Sequence, residues 1–221
     1  MIRRPIIAGV AAFLVFRALL LLIPPYQTDL LRYPASTTVF DRHGRELRTS
    51  LGPGESLCRP VKLADTGHWT SKAIIALEDK RFYDHHGVDK IAICRAILQN
   101  LKAGRVVEGA STLSTLVVKL TAPRSRTFWT KIVEARQAGE LEDAVGKDEI
   151  LAQYLNRAPF GGNIRGIEAA SRYYFNKPAS ELSLSESAML VAIPQRPETF
   201  RPDLHLQAAV IRRNRVLMRM K

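Results

Sequence analysis

The apolar run from Ile6 to Ile23, closed by Pro24-Pro25, constrains this chain more than any other feature. In helical form its eighteen residues reach about 27 Å, against a bilayer core of about 30 Å. Arg17 interrupts the run, at about 3 kcal/mol near a bilayer centre. The twelve Ile, Val, Leu and Phe residues around it return roughly 4 to 7 kcal/mol on the same scale, so insertion wins. Arg3 and Arg4 favour a cytoplasmic N-terminus, with the remainder outside. A cleaved signal peptide has a shorter apolar region and an Ala-x-Ala site, and no clear site of that kind follows. The sequence therefore predicts an uncleaved single-pass anchor over residues 1–25.

An anchor changes how the charge is read. The formal net charge is +12, with a sequence pI of about 10.1. That balance favours polyanions, anionic lipid surfaces or phosphorylated substrates. Nucleic acid is the usual partner of so basic a chain, but no recognition motif supports it and an exported domain argues against it. The 221 residues suit one anchored domain. Of the two cysteines, Cys94 falls inside the apolar stretch Ile91-Ala-Ile-Cys, which predicts a buried thiol rather than a disulfide with Cys58.

Beyond the anchor, Ser36 to Leu47 alternates around Gly44 and reads as a hairpin. A segment punctuated by Gly and Pro, 51–60, follows. From Trp69 the periodicity is helical. Ile74, Ile75 and Leu77 form the apolar part of a first helix, which Gly87 is expected to stop. Asp89 is placed to cap a second, with Ile93, Ile97, Leu98 and Leu101 on one side and Gly104 at its end. Further helices are expected at about 111–121, 127–145, 147–156, 164–175 and 183–193. Ser183 and Glu186 form a capping-box pattern. The last segment, 208–221, sets five basic residues around an apolar stripe. It is either a basic amphipathic helix or the solvated face of a packed one.

Three groups of residues have the makings of chemistry. Glu78 closes an apolar helical run inside Ala76-Leu-Glu-Asp-Lys-Arg-Phe-Tyr-Asp-His-His-Gly-Val88. A carboxylate there is partly shielded from water and still open to a substrate, as proton transfer requires. The competing reading is a surface helix end with a Glu78–Arg81 pair at i, i+3. Gly109-Ala-Ser111-Thr112 precedes a helix, whose free N–H groups suit an anion or only an ordinary cap. Lys131 and Glu134 share a helical face. With Lys119, Arg124 and Arg126 nearby, they form either a pyrophosphate clamp or a solvated basic connector. His85-His86 lacks a matched third ligand and is a poor metal signal.

In order and spacing these residues resemble glycosyltransferase family 51, the peptidoglycan glycosyltransferases. Glu78-Asp-x-x-Phe82-x-x-His85-x-Gly87 is similar to that family's first motif, and Gly109-Ala-Ser-Thr-Leu to the start of its second. Lys131-x-x-Glu134 is similar to its third, Arg-Lys-x-x-Glu. Lys147-Asp-Glu-Ile-Leu-Ala-Gln-Tyr-Leu-Asn156 is similar to its fourth. Gly166-Ile-Glu-Ala-Ala, with Pro194-Gln-Arg-Pro downstream, resembles the last conserved region. The resemblance covers about residues 36–221. It implies a mainly α, lysozyme-like helical domain with a short N-terminal β-hairpin and a small membrane-proximal lobe, preceded by one transmembrane helix. The implied division is an anchor at 1–25, hairpin and linker at 26–66, and glycosyltransferase domain at 67–221. The transpeptidase domain that follows in bifunctional penicillin-binding proteins is expected to be absent.

The implied activity is polymerisation of lipid II into glycan strands on the extracytoplasmic face of a bacterial plasma membrane. Glycosyl transfer would be inverting, with release of lipid pyrophosphate. The expected partners are lipid II, the growing glycan strand, the bilayer and other cell-wall synthesis proteins. Carried over by position, Glu78 is the general base for the acceptor 4-hydroxyl, and Glu134 is the second catalytic carboxylate. Lys119, Arg126 and Lys131 match positions that hold the phosphates, where charge develops on the leaving group. Asp79, Phe82, His85, Ser111 and Thr112 match positions lining the substrate cleft. No resident cofactor is implied, and a divalent cation, magnesium or manganese, is left open. Thr115 and Leu116 stand where the family has Gln-Gln, Thr130 where it has Arg, and Ala152 where it often has Glu. A lost donor-side amide costs about 0.5–1.5 kcal/mol. Two rival readings are a catalytically silent lipid II-binding scaffold and a glycan-cleaving lytic enzyme.

Overall fold

The computed structural model describes Leu14, Arg17, Ala18 and residues 20–221 apart from Glu108. The expected anchor therefore lies largely outside the described residues. Among those residues, no helix is long and apolar enough to cross a membrane.

The fold is mainly helical. Its elements are β1 (Thr37–Phe40), β2 (Glu46–Ser50), β3 (Leu57–Cys58), α1 (His68–Glu78), α2 (Lys90–Ala103), α3 (Leu113–Thr121), α4 (Phe128–Arg157), β4 (Ile164–Arg165), α5 (Ile167–Phe175), α6 (Leu184–Leu190) and α7 (Leu206–Met220). β1 and β2 form the expected antiparallel hairpin, with Thr38 opposite Thr49 and a bulge between Val39 and Phe40. The short pair β3–β4 is parallel, with Leu57 opposite Ile164.

The core forms where the apolar stripes of the helices converge. Ile74, Phe82, Leu113, Leu141, Leu155 and Ile193 are all buried within it. α3 lies against α4, while α1, α6 and α7 pack together. The helix ends follow local chemistry. Asp89 caps α2 by accepting from the Ala92 N–H, and Gly104 closes it in the left-handed conformation. Ser183 and Glu186 form a reciprocal capping box at α6. Gly146, at φ 74° and ψ 172°, breaks α4 where the sequence separates two helices.

The segment after Pro24-Pro25 is tied to this helical body. The Tyr26 N–H donates to Glu140 Oε2 at 2.8 Å, and Gln137 donates to the Pro24 carbonyl at 3.0 Å. Arg157 reaches the carbonyls of Leu30 and Arg32. Asn156 of the fourth motif clasps the linker, accepting from Val61 N–H and donating to Val61 O.

Three expectations need correction. α1 stops at Glu78, nine residues before Gly87. The chain turns there because the Asp79 carboxylate is drawn to the start of α3. Gly87 serves a different purpose. It has φ +65°, and a Cβ on it would lie 2.6 Å from the Gly139 nitrogen, so glycine permits this close crossing. Cys94 is exposed, whereas Cys58 is buried. Ile97, Leu98 and Leu101 do share one side of α2, but that side faces outward and only Ala96 of the helix is buried. Finally, the helix expected over 183–193 ends at Leu190. A 3-10 turn, Ile193–Gln195, follows it at Pro194.

Candidate active site

Glu78 is the last residue of α1. Ala73, Ile74 and Leu77 point into the core, which leaves the next residue at the boundary between core and solvent. Arg81 does not pair with it. That guanidinium binds Asp89 instead, through Nε to Oδ2 at 3.0 Å and a second contact to Oδ1. Glu78 is held from the other end of the chain, where Gln195 Nε2 donates to its Oε1 at 2.8 Å. Gln195 Oε1 accepts in turn from Arg212, and Arg219 donates to the Leu77 carbonyl at 2.9 Å. Burial raises the Glu78 pKa above the ordinary carboxylate range. The Gln195 hydrogen bond and the charges of Arg212 and Arg219 act against that rise.

The rest of the first motif is built into the protein. Asp79 is buried, accepting from His85 Nε2 at 2.9 Å and from the Leu113 N–H at 3.0 Å. It thereby joins the end of α1 to the start of α3. His85 is also enclosed, and its Nδ1 has no partner among the described residues. Phe82 is 0% exposed and packs beneath this turn, with Lys147 Nζ 4.6 Å from its ring centroid. Thr112 caps α3 and donates to the Gly87 carbonyl at 2.6 Å. Four predicted site residues, Asp79, Phe82, His85 and Thr112, are thus gathered behind Glu78. They fix its backbone rather than line an open surface. Ser111, one residue earlier, is exposed.

Lys119, Arg126, Lys131 and Glu134 form a separate group. Lys119 lies in the last turn of α3, Arg126 in the connector, and Lys131 with Glu134 near the start of α4. The three cations are exposed, and Glu134 is half-buried. No hydrogen bond or ion pair joins this group to Glu78 among the described residues. The two are related through α3, whose start is tied to the end of α1 by the Leu113 N–H to Asp79 bond and whose last turn carries Lys119. The cations nevertheless leave a basic, open surface, suited to a doubly charged leaving group.

The departures from the family pattern have local uses. Thr115 completes a capping box with Thr112, its Oγ1 accepting from the Thr112 N–H at 2.9 Å. Thr130 bonds Thr127 Oγ1 and the Ser125 carbonyl, each at 2.8 Å, and so locks the start of α4. Leu116 packs half-buried against the core, and Ala152 is buried.

Sequence reasoning missed Gln195, Arg212, Arg219 and Glu142. Gln195 lies in the Pro194-Gln-Arg-Pro stretch, so its position was marked but its role was not. Arg212 and Arg219 are seven residues apart, two turns along one face of α7, which was a readable signal. Glu142 is buried and bonded to Ser114 and to Lys147 Nζ, the latter at 2.8 Å. Burial pushes its carboxyl up, but these bonds outweigh that effect and hold it below the usual range. His86 pairs with Asp143 at 2.9 Å. No group of three or more metal-ligating side chains occurs among the described residues.

Comparison with known proteins extends these observations. The family described as Transglycosylase matches residues 44–221. Penicillin-binding protein 1C of Escherichia coli K12 is 45% identical over 161 residues, covering 73% of this chain and 21% of that protein. Penicillin-binding protein 1F of Bacillus subtilis 168 is 39% identical over 184 residues, covering 83% of this chain and 25% of that protein. The chain thus spans about a quarter or less of the length of these two relatives. The crystal structure of penicillin-binding protein 1A from Haemophilus influenzae is 25% identical, with a TM-score of 0.46, covering 86% of this chain and 18% of that one.

Proposed function

Because this chain belongs to the transglycosylase family of peptidoglycan glycosyltransferases, we infer that it polymerises lipid II into glycan strands by inverting glycosyl transfer. Glu78 carries the reading. It is a desolvated carboxylate at a helix end, with one oxygen held by a neutral amide. As general base it takes the proton of the acceptor 4-hydroxyl while that oxygen attacks the donor anomeric carbon. A basicity above that of an ordinary carboxylate suits it to this step. Asp79, His85 and Thr112 keep it aimed, and Phe82 packs beneath them. Lipid pyrophosphate leaves from the opposite face. Lys119, Arg126 and Lys131 stabilise the charge it gains. Glu134 orders the donor and those cations, and Ser111 lines the cleft.

The same reading extends to the membrane. The fold is read as a lysozyme-like domain with a small membrane-touching lobe. Supporting this are the outward apolar side of α2 and the exposed Phe128 and Trp129 at the start of α4. Residues 1–25 are its anchor and 26–66 its hairpin and linker. The catalytic domain, 67–221, then stands on the extracytoplasmic face of the plasma membrane, beside other cell-wall synthesis proteins. Reach to a lipid-borne donor follows directly, because anchor and lobe hold the cleft at the bilayer surface.

The test uses purified full chain and labelled lipid II in detergent. Wild type is expected to make glycan polymer, and Glu78→Gln none. Absence of polymer under conditions that support a relative such as penicillin-binding protein 1C would overturn the reading. Lipid II binding without turnover would assign the chain to a binding role. Release of soluble fragments from preformed glycan would assign it to cleavage.

A further inference from the structure

Glu78 is held by a neutral amide although an arginine stands one side chain away. Gln195 Nε2 donates to Glu78 Oε1 at 2.8 Å, and Gln195 Oε1 accepts from Arg212 Nη2. The neighbours fix the direction of this amide. A guanidinium can only donate and an ionised carboxylate can only accept, so the amide oxygen must face Arg212 and the amide nitrogen Glu78. Gln195 is placed by the 3-10 turn Ile193–Gln195, which the Arg196 N–H closes onto the Ile193 carbonyl at 3.0 Å. Pro194 within that turn restricts its backbone.

Arg212 has reason to approach Glu78 more closely. Its buried Nε has no acceptor among the described residues, and its Cζ lies 5.7 Å from the Phe200 ring centroid. A guanidinium and a carboxylate readily form a two-pronged pair that occupies both oxygens. An opposite charge at that distance also strongly favours the ionised carboxylate. Both effects would weaken a base. An amide in between occupies one oxygen only and keeps the cation a side chain away.

We propose that Gln195 is a positioning residue: a neutral spacer that holds Glu78 Oε1, keeps the Arg212 guanidinium off the carboxylate, and leaves Oε2 to receive the acceptor proton. The proposal rests on the reading of Glu78 as general base. The other groups facing Glu78 are Asp79 on its own segment, Arg219 of α7 and the Tyr154 hydroxyl of α4. Arg215 and Arg196 face Arg212. Asp79 is occupied by His85 and the Leu113 N–H. Arg219 has Nη1 on the Leu77 carbonyl. Among the described residues, Arg212 is therefore the cation near Glu78 with a buried donor that lacks an acceptor.

Two measurements on the detergent-solubilised full chain test this. One is the carbon-13 titration of the Glu78 carboxyl, assigned by its loss in Glu78→Gln. The other is the pH profile of kcat/KM with lipid II. In Gln195→Leu, Arg212 is expected to pair with Glu78. The titration midpoint and the acidic limb then move to lower pH, and kcat/KM near neutrality falls tenfold or more. In Gln195→Leu combined with Arg212→Gln, the sign reverses and the midpoint rises above that of wild type. A midpoint in Gln195→Leu that stays put, or rises as loss of one hydrogen bond alone would make it, overturns the spacer. Gln195 is exposed, so its replacement leaves the core packing in place, and a thermal melt checks that the variant folds. The titration needs no turnover. Failure of wild type to polymerise would sink the functional reading while the spacer is still tested.

Discussion

At the scale of the residue, the site is a set of carboxylates given different surroundings. Asp79 and Glu142 are bonded to N–H, O–H or cationic groups on several sides, while Glu78 has burial and a single amide. The general base proposed at Glu78 must be ionised, so activity should rise as pH climbs through its raised pKa. Its acidic limb is expected above the ordinary glutamate value of about 4.3. The same shift opposes folding. The folded state binds the proton more tightly than the unfolded state, so above both pKa values the ionised Glu78 costs stability. Glu78→Gln should therefore abolish polymer formation while its melting temperature at neutral pH equals or exceeds that of wild type. A lower melting temperature would contradict the burial argument. Leu116→Gln restores the amide of the family pattern. Expected gain in kcat/KM is at most about tenfold, with some loss of stability because Leu116 packs on the core.

At the scale of the element, short contacts between helix ends set where Glu78 points. Gly87, in the connection between α1 and α2, crosses closely over α4, and Gly87→Ala must both adopt a left-handed φ and push against the Gly139 backbone. A loss of about 2–4 kcal/mol is expected in denaturant unfolding, from strain and overpacking together. Asp89→Ala removes the α2 cap and the partner of Arg81. Its expected cost is about 1–3 kcal/mol. α2 itself turns Leu98, 59% exposed, and Leu101, 73% exposed, outward. Changing both to Glu should leave unfolding nearly unaltered, within about 1 kcal/mol, while binding of the purified chain to lipid vesicles falls several-fold. Unchanged vesicle binding would remove α2 from the proposed membrane-facing lobe. The order of the helices, the Asp89 and Ser183 caps and the break at Gly146 were all legible, because each depends on residues within a turn of one another. The end of α1 was not. It is decided by Asp79 reaching the Leu113 N–H, a contact between residues far apart in the chain.

At the scale of the whole molecule, the two thiols report which surfaces the fold covers. Cys58 is 0% exposed and burial raises its pKa to about 11, whereas Cys94 lies open on α2. One thiol per chain should react with a maleimide at once, and the second only on unfolding. Prompt reaction of both would argue against the packing of β3 on β4. The expectation of a buried Cys94 failed for a general reason. Apolar periodicity says that a helix has an apolar face, but not whether protein covers that face. On α2, no described element packs over it.

The amino-acid sequence by itself determined the helical periods, the hairpin, most caps and the order of motifs by which this chain resembles its family. Each depends on residue type and spacing, and local geometry converts these directly into structure. Tertiary structure alone decided which groups surround Glu78. Gln195 reaches it, with Arg212 behind that amide and Arg219 on the Leu77 carbonyl, only because α6, the turn after it and α7 fold back against α1. Burial depends on the sum of all neighbours, and the protonation of a carboxylate depends on burial. The chemical character of Glu78 is therefore a property of the assembled core, even though its place in the motif could be read from one line of residues.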